Sequence, residues 1–149
     1  MNTEPLDYFD NKEKAIHHAL WLNFKYRIAG ITFGVIIAPN NNFVVIEEAV
    51  AKELGTEFLD IPSDYEEMNV DEIRHIRMDK NPLAHLSEII GTFSVMDGEL
   101  LRYILHSKIP LEKLIRYELA LRGYDKNHRW CGFEKAEEIW LKEEQNDNN

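Results

Sequence analysis

Two β-branched runs, ITFGVIIAP and FVVIEE, stand on either side of Asn40-Asn41-Asn42, and no other part of the chain carries so strong a strand signal. Val, Ile and Phe suit a pleated, half-buried surface, and asparagine tolerates the left-handed backbone of tight turns, so the stretch predicts a β-hairpin. A lone hairpin is only marginally stable in water and has to be covered. The rest of the sequence must supply that cover, and most of it has helical period.

Upstream, Asp10 followed three residues later by Glu13 has the arrangement of an acidic capping box, opening a helix through about Arg27. Ile16, Ala19, Leu20 and Phe24 recur at helical spacing and mark its buried face. Downstream, EEAVAKELG reads as a short helix ending at Gly55, and EFLDIP as a third strand stopped by Pro62. Beyond that point the signals are helical. Asn69 precedes Glu72 by three residues, Asn81-Pro82 places a cap before Pro, and Ser94 with Asp97 repeats the cap pattern ahead of a stripe of Leu100, Leu101, Ile104 and Leu105. Pro110 opens a helix ended by Gly123, with Tyr124 available for a hydrophobic contact, and a last helix starts near Phe133.

These elements predict an α+β protein: an N-terminal helix and small antiparallel sheet followed by a predominantly helical C-terminal bundle. At 149 residues the length prior gives one domain, taken as residues 1–144 with a polar tail at 145–149. Hydrophobic residues at 44% and charged residues at 30% place the chain with globular rather than disordered sequences. No apolar run approaches the ~20 residues of a spanning helix. The acidic start MNTEPLDYFD is unlike a secretory signal, and a single cysteine rules out an internal disulfide framework, so the expected compartment is the cytoplasm.

The net charge of −10 is unevenly placed. Nine acids stand against three bases over residues 63–99, whereas residues 100–130 hold seven bases and three acids. An acidic surface over residues 47–99, represented by Glu66, Glu67, Asp71 and Glu72, would steer basic partners toward it. The basic segment interleaves Arg102, Lys113, Arg116, Arg122, Lys126 and Arg129 with Tyr103, Tyr117 and Tyr124, a combination that can contact phosphates and stack on bases. Its two helices, joined around Ile109-Pro110, also permit a helix-turn-helix reading.

Reactive groups are few. Cys131, in HRWCGF, lies just before a predicted helix beside His128 and Arg129, conditions that favour a thiolate, while Trp130 and Phe133 flank it as packing partners would. His128 and Cys131 together make half of a tetrahedral zinc site, so neither a metal nor another cofactor is expected. Adjacent His17 and His18 point in different directions on a helix, His75 and Asp79 are spaced for a surface pair, and His85 reads as a partly buried, hydrogen-bonded imidazole. No phosphate-binding glycine loop, nucleophile elbow or zinc-protease helix occurs.

LIRYELALRGY followed by GFEKAEEIWL resembles the two-helix SAP nucleic-acid module, a leucine-rich helix ending in Arg-Gly-apolar and then Gly-x-Lys opening a second helix. The resemblance covers under a fifth of the chain, and DKNHRWC intervenes between the glycines, the second helix is acidic and the lysine is moved by one. It carries no function over.

The expected function is therefore that of a non-enzymatic acidic binding protein working through protein–protein contacts, as an inhibitor, antitoxin-like protein or adaptor. The alternatives are a nucleic-acid-binding regulator using residues 102–129 and a cysteine-dependent enzyme using Cys131 with His128. A membrane partner is not expected, and exposed hairpin edges are compatible with a homo-oligomer.

Overall fold

Asn41 closes the hairpin. Its φ of 66° puts it in the left-handed region, and Ala38 N–H donates to the Asn42 carbonyl at 2.8 Å. The two runs become strands β2 (Phe33–Ile37) and β3 (Phe43–Glu47), paired antiparallel with Val35 opposite Val45. A computed structural model describes residues 7–142, and the chain divides into two compact units, Met1–Val95 and Met96–Asn149. The polar tail expected at 145–149 lies outside the described residues.

In the first unit the third strand is not EFLDIP but β1 (Asp7–Phe9), which pairs with β3 to give the order β1-β3-β2. The segment around EFLDIP forms no strand, although Leu59 N–H donates to the Val35 carbonyl at 2.8 Å and so covers part of the β2 edge. Both faces of the sheet are buried. Val35 and Val45 pack with Ala15, Ile16 and Ala19 of helix α1 (Lys12–Lys25), whereas Ile36, Val44 and Ile46 pack with Ala51 of helix α2 (Glu48–Leu54) and with Phe58. The alternation follows from the two-residue period of a strand. Burying an aliphatic side chain of this size stabilises by roughly 1.5–3 kcal/mol, so these two layers hold most of the unit's cohesion.

Helix α1 starts one residue later than the Asp10 signal implied, because Asn11 is still extended at φ −110° and ψ 122° and its side chain accepts the Lys14 N–H. Its buried face also differs. Ile16 and Ala19 are buried as expected, but Phe24 is exposed and His17 is buried. Helix α3 (Val70–Met78) begins where expected, with the Asn69 side chain accepting the Glu72 N–H at 2.9 Å. Helix α4 (Ala84–Ser94) is capped by Leu83 rather than Asn81, since the chain stays extended past Pro82 before turning.

The second unit is helical. Asp97 caps helix α5 (Gly98–His106) by accepting the Leu100 N–H, and Pro110 precedes helix α6 (Leu111–Arg122). Between them Lys108 takes a left-handed φ of 53° where a glycine would be the easier residue. Helix α6 packs against helix α7 (Phe133–Glu137) and the π-helical turn Glu138–Lys142 that follows it, with Ala120 and Ala136 buried. The stripe expected on α5 is only partly covered: Leu101 and Ile104 are half-buried, but Leu100 and Leu105 are exposed. No helix among the described residues is long and apolar enough to cross a membrane.

Candidate functional site

HRWCGF folds as a tight return between α6 and α7. Asp125 organises it, its side chain accepting the N–H groups of Asn127 and Arg129 at 2.9 Å each, while Tyr124 and Trp130 form an isolated bridge. The His128 ring stacks on Tyr124 with centroids 4.9 Å apart. Cys131 is half-buried, and its thiol lies 3.6 Å from the Gly123 and Gly132 carbonyls, which accept a weak S–H bond. Among the described residues these two carbonyls are the hydrogen-bond partners of the thiol.

The basic segment is interleaved with its own counterions. Arg102 pairs with Glu99, Arg116 with Glu112 at 3.4 Å and Arg122 with Glu118 at 3.1 Å, each one helical turn apart. Arg116 also reaches the Trp140 carbonyl. Lys113 lies exposed on α6, and Lys126 and Arg129 lie in the return, also exposed. Exposed pairs of this kind contribute only about 0.3–0.5 kcal/mol each, yet they set an acid beside each of the three arginines. The segment is a mixed-charge surface at these positions.

The first unit holds a different arrangement around His17. Two clefts, of about 400 and 330 Å³, share Glu13, His17 and Glu72 in their linings and so adjoin at that point. The larger continues over Ile76, Met78, Leu83 and Leu86, with Asp10 and Asp79 in its wall. The smaller is rimmed by Asp60, Asp64, Glu67 and Glu72. Of the acidic residues singled out from sequence, Glu67 and Glu72 belong to these clefts; Glu66 is exposed beside them in sequence, and Asp71 is paired with Arg74 at 2.7 Å.

Three elements position the central groups. Glu13 and His17 are one turn apart on α1, Glu72 sits in the first turn of α3, and Tyr65 comes from the loop between α2 and α3. His17 is only 5% exposed; its Nδ1 is 3.3 Å from the Tyr65 hydroxyl, and the two rings stack 5.4 Å apart. Burial lowers the His17 pKa below 6.5 despite the opposing pull of the Glu13 and Glu72 carboxylates. Burial also raises that of Tyr65. The imidazole is thus a neutral hydrogen-bonding group in an acidic setting.

His75 and Asp79 do not pair. Asp79 instead binds Lys14 at 2.9 Å, and the Lys14 ammonium also donates to the Asn81 carbonyl at 2.6 Å, a clamp between α1 and the α3–α4 connection. The Lys14 bond, helped by the Asn81 N–H, lowers the Asp79 pKa below its usual value. His18 turns the other way from His17, to Asp7 at 2.7 Å. His85 stacks on Trp21 at 4.6 Å, but its buried Nε2 has no hydrogen-bond partner among the described residues, contrary to the bonded imidazole expected. Burial, then the proximity of His18 and His17, lowers its pKa as well.

Those two lowered values set a pH dependence. Above about 6.5 neither the folded nor the unfolded chain protonates these imidazoles; below it the unfolded chain takes up protons first, so stability falls with pH until the folded-state values are reached. The urea midpoint is expected to decrease as the pH falls through and below about 6.5, and His17→Gln with His85→Gln should flatten that slope. An unchanged slope in the double variant would show that other groups carry it.

Among the described residues no group of three or more His, Cys, Asp and Glu side chains is arranged to hold a metal ion. The fold and its clefts define an α+β protein with an acidic double cleft on its first unit. No family model, curated protein or solved structure matches the chain.

Proposed function

We propose that the protein is a non-enzymatic binding module whose acidic clefts receive a basic segment of a protein partner. The observation that carries this reading is the lining of the two clefts, where Asp10, Glu13, Asp60, Asp64, Glu67, Glu72 and Asp79 outnumber Lys12 and Lys14. Lys14 is already engaged by Asp79, which leaves the junction around Glu13 and Glu72 acidic. Each exposed pair a partner makes contributes little alone, roughly 0.2–1 kcal/mol, but several act together and steer the encounter. The apolar wall of the larger cleft adds area for the stems of long basic side chains.

A short lysine- and arginine-rich peptide, titrated into the full chain, is expected to bind with an affinity that falls steeply as salt rises. Glu67→Lys with Glu72→Lys should weaken that binding tenfold or more. Affinity unaffected by both salt and the double charge reversal would remove the reading. The paired arginines on α5 and α6 supply no comparable single-sign surface.

A further inference from the structure

We propose that the junction of the two clefts is a receptor for one lysine side chain of the partner, with Glu13, Glu72 and His17 Nε2 as its three acceptors; this rests on the acidic-cleft reading above. Three observations lead there. His17 is nine-tenths buried and lines both clefts, and its Nδ1 is engaged with Tyr65 while Nε2 has no hydrogen-bond partner among the described residues. We assign the His17 proton to Nδ1, donating to the Tyr65 oxygen, which makes the Nε2 lone pair an acceptor. The two carboxylates that act on this imidazole, Glu13 and Glu72, come from different helices and line the same junction.

An ammonium group has three N–H donors and no acceptor, and it suits three separate acceptors better than a planar guanidinium, whose fork matches one carboxylate in bidentate fashion. The larger cleft then runs away from the junction over Ile76, Met78, Leu83 and Leu86, an apolar floor for a four-carbon stem. A neutral imidazole is what the site needs at its centre, since a charged one would repel the ligand.

The test compares three versions of one short basic peptide that differ at a single position, carrying lysine, arginine or trimethyllysine. All three keep the charge, but trimethyllysine has no N–H donors. Binding to the full chain is measured by calorimetry while the His17 imidazole resonances are followed by NMR. The lysine peptide is expected to shift those resonances and to bind at least tenfold more tightly than the trimethyllysine peptide, with the arginine peptide weaker than lysine. Glu13→Gln, on an exposed position that leaves the His17 packing alone, should reduce the lysine preference, whereas His17→Gln should abolish it. Equal affinity for all three peptides, or binding that leaves His17 unmoved, would overturn the lysine receptor while leaving the acidic clefts as a general basic-partner surface. Failure of the peptides to bind, with free Nα-acetyl-lysine amide still shifting His17, would overturn the protein-partner reading and support the receptor.

Discussion

Gly123→Ala is expected to destabilise the second unit by about 2–3 kcal/mol, by two separable costs. The residue ends α6 with φ 76°, a conformation that costs a residue bearing a Cβ roughly 1–2 kcal/mol. In addition, a Cβ there would run into the Trp130 ring, with Cη2 only 2.9 Å away, and because Trp130 is 60% exposed and its ring can swing aside the cost is at the low end of overpacking, about 1 kcal/mol. Displacing the exposed Trp130 ring gives up its edge contacts with Tyr124 and Phe133. Urea unfolding followed by tryptophan fluorescence and by far-UV dichroism measures the loss. Adding Trp130→Leu should recover the steric part and leave the backbone part. A Gly123→Ala protein within about 0.5 kcal/mol of the parent would refute both contributions.

Gly34→Ala tests the opposite case, a glycine whose backbone has no objection to a side chain. It lies inside β2, opposite Ile46, and alanine would ordinarily gain roughly 0.5–1 kcal/mol over glycine within a strand. The objection is Phe58, whose ring sits over Gly34 with Cδ1 at 2.6 Å from where the Cβ would stand. Phe58 is packed with the Ile36, Val44, Ile46 and Ala51 cluster and cannot move without opening it. The expected loss is about 1–3 kcal/mol. Phe58→Ala costs stability alone, by uncovering that cluster, but the double variant should be less damaged than the two single losses added together. Strict additivity would mean that Phe58 does not occupy the space above Gly34.

These two glycines also separate what a reader of the sequence can see from what remains hidden. Gly123 is legible because a C-cap glycine after an amphipathic run is a local rule, and the same holds for the Asn69 and Asp97 caps. The β2–β3 hairpin is legible for the same reason, its strands and turn lying within seventeen residues of one another in sequence from Ile31 to Glu47. Gly34 is hidden, since nothing near it in sequence announces Phe58. Strand β1 was equally hidden: Asp-Tyr-Phe is short and partly polar, and it becomes a strand through β3 rather than by its own propensity.

The candidate site divides in the same way. The acidic balance of residues 63–99, and with it Glu67 and Glu72, could be read directly, as could the spacing that pairs Glu112 with Arg116 and Glu118 with Arg122. His17 could not, because it and His18 are adjacent, identical residues on one helix. One is drawn to Asp7 and the other stacks under Tyr65 beside Glu72, and those partners arrive from segments 11 and some 50 residues away. Cys131, the conspicuous reactive atom in the sequence, has its thiol 3.6 Å from the Gly123 and Gly132 carbonyls, a setting that only the return between the helices creates.

By itself the sequence determined the fold class, the Asn69, Asp97 and Gly123 caps and the hairpin, since all of these follow from periodicity and from groups a few residues apart. Tertiary structure decided which histidine is buried, which edge strand completes the sheet and where the carboxylates converge. Those outcomes depend on desolvation and packing between elements distant in sequence, energies that no local pattern contains.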